Sequence, residues 1–149
     1  MSGLFLVVWD TVAEDRSPVL CTTTGGYPHI TVIYTGNCTV PAELMPEGVT
    51  LMRNFFGWQI SVDKAWINVF EKDGKNRYDV LLQLDGATNS RIQTARAGIA
   101  RRLGVPCDDS KLHITHSIHA TMKEALAAQM QVEKFLPYST LAITGLTLD

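Results

Sequence analysis

One short pattern occurs twice in this chain: Pro28-His29-Ile30-Thr31-Val32 and Leu112-His113-Ile114-Thr115. Each copy lies in a run that reads as a β-strand, where residues two apart point to the same face. Each copy therefore presents one imidazole and one hydroxyl side by side, and the two copies fall in different halves of the chain. Buried strands rarely carry two polar positions on one face without reason, because unpaired polar groups there are costly. The pattern commits both halves to sheet and points to chemistry on one side of it.

The residues around the two copies fill in the elements. The apolar run over 4–9 reads as a buried strand, and a loop follows from Glu14 to Gly25-Gly26. The β-branched run over 29–35 is the strand of the first motif, ended by Gly36-Asn37. Pro46 can open a helix with Leu51, Met52, Phe55 and Phe56 on its apolar side and Gly57 as its stop. Strands over 65–71 and 78–84 make a hairpin with Asp73-Gly74 at its tip. Asn89 or Ser90 caps a helix to about Leu103, with Ile92, Ala95, Ile99 and Leu103 on one face and Gly104 at its end. The second motif follows on a strand over 112–118. Thr121-Met122-Lys123-Glu124 is a capping box for a helix that turns Met122, Ala125, Val132 and Phe135 inward and ends before Pro137. A last strand covers about 140–148. This order predicts an α+β fold of mostly antiparallel sheets with outer helices, in one domain over 1–149, with one motif strand in each half.

Composition narrows the class of function. With 149 residues, 46% apolar and 19% charged, the chain can bury its own core. A formal net charge of -2 argues against coating long nucleic acid, but leaves room for a nucleotide held in a local pocket. Cys21, Cys38 and Cys107 are odd in number and show no CxxC spacing, which points to a reducing compartment. The apolar run from Gly3 to Trp9 is too short to span a membrane and lacks the marks of a signal peptide, so a cytoplasmic protein is expected.

Two imidazoles and two hydroxyls suit the cleavage of a phosphodiester. An attacking hydroxyl or water must lose a proton, the leaving oxygen must gain one, and the non-bridging oxygens need donors. Histidine, with an ordinary pKa of about 6.5, serves as base when neutral and as acid when protonated. His29 and His113 can share those tasks while Thr31 and Thr115 donate to the phosphoryl oxygens, with no metal or other cofactor required. His113, His116 and His119 do not make a zinc site: on a strand His116 points away from the other two, and on a helix the three spread around the axis. His119, on the face of His113, remains a candidate phosphate contact. Tyr27, beside the first motif, is a candidate platform for a base. Tyr34, Trp9 and Trp66 read chiefly as core. Arg91, Arg96, Arg101 and Arg102 read as a solvated helix face.

On these residues the chain resembles the two-histidine phosphoesterases, the LigT-like group. Their two motifs of histidine, an apolar residue, and threonine or serine lie one in each lobe of a pseudo-twofold α+β fold. His29 and Thr31 match the first motif, and His113 and Thr115 the second. The resemblance implies that these four line a groove between the lobes. It also implies metal-independent action on 2′,3′-cyclic phosphates, 2′-5′ oligoadenylates, related RNA ends or cyclic nucleotide messengers. A compact enzyme of that kind would suit a virus or phage degrading a host immune messenger. The group usually has an apolar residue after the second threonine, where this chain has His116. The partner expected is therefore a small nucleotide or oligonucleotide, with neither long duplex nucleic acid nor a membrane. The alternative is a non-catalytic nucleotide-binding module on the same fold.

Overall fold

The computed structural model describes residues 3–10, 28–34, 46–47, 50, 53–55, 57–104, 112–138 and 141–148. Tyr27, Gly25, Gly26 and the three cysteines lie outside the described residues, as do Leu51, Met52 and Phe56. The described residues form seven strands: β1 (Gly3–Asp10), β2 (His29–Tyr34), β3 (Gln59–Ile60), β4 (Val62–Lys72), β5 (Lys75–Leu84), β6 (His113–His119) and β7 (Leu141–Leu148). They form one antiparallel sheet in the order β3-β7-β1-β2-β6-β5-β4. The two motif strands, β2 and β6, are neighbours at its centre. They divide it into a lobe of β3, β7, β1 and β2 and a lobe of β6, β5 and β4.

Among the described residues two helices, α1 (Gly86–Leu103) and α2 (Met122–Phe135), supply the cover. α1 packs against β2, and α2 against β4, β5 and β6. Between helices and sheet lies one apolar core that includes Ile30, Val32, Val80, Leu82, Leu84 and Ile114 from the strands. Ile92, Ile99 and Leu103 of α1 and Ala125 and Val132 of α2 join it from the helices. The isoleucine at the centre of each motif is fully buried there. The architecture is thus the α+β arrangement expected from the order of elements, with each lobe carrying one motif strand and one helix. No helix among the described residues is long and apolar enough to cross a membrane.

The hairpin β4–β5 turns at Asp73 and Gly74, both at positive φ (55° and 73°). That is the backbone a two-residue turn needs to match strand twist, and Asp-Gly is a preferred pair for it. The region around Pro46 has helical backbone at Pro46, Glu47 and Thr50, then a 3-10 turn over Arg53–Phe55. Phe55 is buried with its ring edge-on to Trp58 at 4.8 Å, and Gly57 follows at φ 85°.

Three expectations about the helices change. α1 begins before Asn89, with Asp85 as its N-cap, accepting from the Thr88 amide at 2.7 Å. Asn89 instead accepts from the Leu112 amide at 3.1 Å, tethering the residue that leads into β6. Arg96 does not join a solvated face but is buried at 3% exposure, whereas Arg91 stacks over Trp58 (3.7 Å) and Arg102 pairs with Glu47 (2.9 Å). Met122 and Phe135 stay exposed, because α2 packs through the short side chains of Ala125, Ala128 and Val132. Short side chains let the helix approach closely enough for Gln129 Nε2 to donate to the Ala65 carbonyl at 2.9 Å.

Candidate active site

The pairing of β2 with β6 runs through Ile30 and Ile114, the middle residue of each motif. An antiparallel pair has a local twofold axis between such partners. The copies lie 84 positions apart (29 to 113), so that axis carries His29 onto His113 and Thr31 onto Thr115. The same register sets His29 across from Thr115, and Thr31 across from His113. Directly opposite residues are about 5 Å apart at Cβ and diagonal ones about 7–8 Å apart at Cα. The two imidazoles therefore stand on one diagonal and the two hydroxyls on the other. Since Ile30 and Ile114 point into the core, all four polar side chains are on the face away from the helices. Each of the four is half-buried. A phosphate-sized anion above the axis would have an imidazole on each side and a hydroxyl on each side.

The neighbouring strands extend this face. Gln83 of β5 pairs with His113, and Leu81 with Thr115. Lys64 of β4 pairs with Gln83, and Trp66 with Leu81. The sheet thus carries two cross-strand rows, Lys64–Gln83–His113–Thr31 and Trp66–Leu81–Thr115–His29. Farther along β5, on the same face, Asp79 is buried and accepts two hydrogen bonds from Arg77, Nε to Oδ1 and Nη2 to Oδ2, both 2.8 Å. The Arg77 guanidinium also lies 4.9 Å from the centre of the Phe70 ring.

Just past Thr115 the register slips. Leu81 pairs with Thr115, but Val80 pairs with Ser117, which leaves His116 as the extra residue of a β-bulge. A bulge resets the alternation of faces beyond it. Ser117 and His119 therefore share the face of Val80 and Tyr78, the helix side, and Ile118 takes the site face. The expectation that His119 shares the face of His113 is corrected by this one inserted residue. His119 Nε2 lies 2.7 Å from Ser117 Oγ, and His116 Nδ1 lies 2.9 Å from the same oxygen. Ser117 is 1% exposed and His116 8%. A hydroxyl has one hydrogen, so Ser117 donates to one ring and accepts from the N–H of the other. This chain of three is a polar bracket at the bulge, adjoining Thr115 in sequence. Among the described residues no group of three or more His, Cys, Asp or Glu lies close enough to hold a metal ion.

Trp66 also departs from expectation. It is half-buried on the site face and, among the described residues, is neither in the helix-side core nor packed against it. From the sequence Trp66 reads chiefly as core, and Gln83 belongs to no motif, although the polar residues Arg77, Asp79 and Gln83, two and four residues apart along β5, mark that face.

No family model matches the sequence, and no curated protein matches it. In three dimensions the chain is similar to Usb1 of Kluyveromyces marxianus. One solved structure of that protein aligns with TM-score 0.54 at 9% identity, covering 99% of this chain and 96% of that one. A second, of Usb1 with uridine monophosphate, aligns with TM-score 0.55 at 9% identity, covering 98% and 97%. The likeness runs nearly end to end in both chains, and at this identity it is a likeness of fold.

Proposed function

We propose that the chain is a metal-independent phosphodiesterase acting on small nucleotide or oligonucleotide diesters next to a ribose hydroxyl. The observation that carries this reading is the twofold relation of the motifs, with two imidazoles and two hydroxyls around a single point of the sheet face. One neutral histidine accepts the proton of the attacking 2′-hydroxyl or water. The other, protonated, donates to the leaving oxygen as the P–O bond breaks. Thr31 and Thr115 donate to the non-bridging oxygens, whose charge grows in the transition state. After one turnover the histidines have exchanged protonation states, and exchange with solvent resets them. The pseudo-symmetry suits a reaction in which the two roles can swap.

Similarity to a protein solved with uridine monophosphate adds support for a nucleotide ligand. The substrates in view are 2′-5′ oligoadenylates, cyclic oligonucleotide messengers and terminal 2′,3′-cyclic phosphates. The deciding experiment incubates 2′-5′, 3′-5′ and cyclic substrates with the protein in EDTA, alongside His29→Ala and His113→Ala. Cleavage that survives EDTA and is lost in both variants is the expected result. Loss of activity in EDTA defeats the metal-free mechanism, and full activity in either variant defeats the assignment of the pair. Binding without turnover would make the chain a nucleotide-binding module.

A further inference from the structure

We infer that Trp66 is a stacking platform for a base of the substrate, so that β4, the edge strand of the second lobe, forms a subsite beside the reacting phosphate. This rests on the phosphodiesterase reading of the same face. Trp66 lies in the row that ends at Thr115 and His29, with Leu81 between. Two strand spacings put its backbone about 10 Å from that of Thr115. The indole can lean over Leu81 toward the threonine, a span that suits a base whose sugar carries the phosphate.

Trp66 is placed unlike a core tryptophan. Its neighbours along the same face of β4 are Lys64 and Asn68, and beyond Leu81 come the motif residues. Leu81, 3% exposed and outside the helix-side core, lies between Trp66 and Thr115, and Lys64, Asn68 and Gln83 flank the pair on the same face. A half-buried aromatic ring with a cation two residues away is a combination that holds single-stranded nucleotides: the ring takes the π-face of a base, and the cation takes phosphate charge. Stacking accepts any base, so the subsite would contribute affinity and position more than base selectivity.

The test pairs removal of the ring from the protein with removal of the base from the ligand. Uridine monophosphate, adenosine monophosphate and ribose 5-phosphate are titrated calorimetrically into wild type, Trp66→Ala and Trp66→Phe, with thermal unfolding followed for each. The wild type should bind the nucleotides tighter than ribose 5-phosphate by roughly five- to 150-fold, the range that base–aromatic stacking spans. Trp66→Ala should lose that preference, so that removing both ring and base weakens binding no more than removing either one. Trp66→Phe should keep most of the preference but lose the fluorescence quench that nucleotides produce in the wild type. On a dinucleotide substrate, Trp66→Ala should raise KM far more than it lowers kcat. If folded Trp66→Ala or Trp66→Phe retains both the full preference and the quench, the subsite is overturned. Trp66-dependent binding without cleavage of any diester would leave the subsite standing and overturn the phosphodiesterase reading. A wild type that binds no nucleotide would overturn both.

Discussion

At the scale of single residues, the two motifs divide the work by side-chain chemistry. Replacing His29 or His113 with alanine removes one proton transfer and should lower kcat by about a hundred- to ten-thousandfold, read by product release from a diester substrate. Thr31→Val and Thr115→Val keep side-chain volume but delete a donor to the developing charge. Each should lower kcat by about a hundredfold with little change in KM. His119→Ala is the contrasting case. The bulge turns His119 to the helix side, so its loss should cost about 1 kcal/mol of stability through the Ser117 hydrogen bond while the folded protein keeps its turnover. Loss of turnover in folded His119→Ala would place that ring in the site despite the register.

At the scale of elements, the caps decide where helices start, and one of them titrates. The Asp85 carboxyl is held below its ordinary value of 3.8, chiefly by the Thr88 amide and then by its hydroxyl. A carboxylate with a depressed folded pKa stabilises the fold at pH above the ordinary value, and that contribution fades as pH falls through the depressed one. Asp85→Ala should cost about 1 kcal/mol at neutral pH. Asp85→Asn keeps an acceptor without the titration and should flatten the acid limb, as urea midpoints between pH 7 and pH 2 would show. The start at Asp85 is fixed twice, locally by its carboxylate on the Thr88 amide and from outside by its own amide donating to the Ser61 carbonyl at 2.8 Å; the second is not legible locally, and the weak helix formers Gly86 and Thr88 hide the first. By contrast, the hairpin turn at Asp73-Gly74 and the Thr121 cap were legible, since each is fixed by neighbours in sequence; in the second, the Glu124 amide donates to Thr121 Oγ1 at 3.2 Å. The strand periodicity of the motifs was legible too. The bulge at His116 was not, because nothing local distinguishes that residue from its neighbours, and the face of every residue beyond it depends on pairing with β5.

At the scale of the whole molecule, the centre of the sheet is where stability and catalysis meet. Ile30 and Ile114 are buried partners in the strand pair that aligns the motifs. Ile30→Ala or Ile114→Ala should cost about 2–5 kcal/mol in denaturant unfolding. Activity per folded molecule should fall as well, because the strand positions that hold the four polar groups loosen together. The strand order carries a consequence for how the chain becomes active. β4, β5, β6 and both helices occupy a continuous stretch from residue 62 to 135, whereas β1 pairs with β7 across most of the sequence. Contacts between distant segments form late, since the intervening chain must first be ordered. On a ribosome the lobe holding His113 can assemble while β7 is still being made, and the lobe holding His29 lacks the strand between β1 and β3 until it arrives. One half of the acid–base pair would then wait for the other, and activity would arise only once β7 has taken its place between β1 and β3.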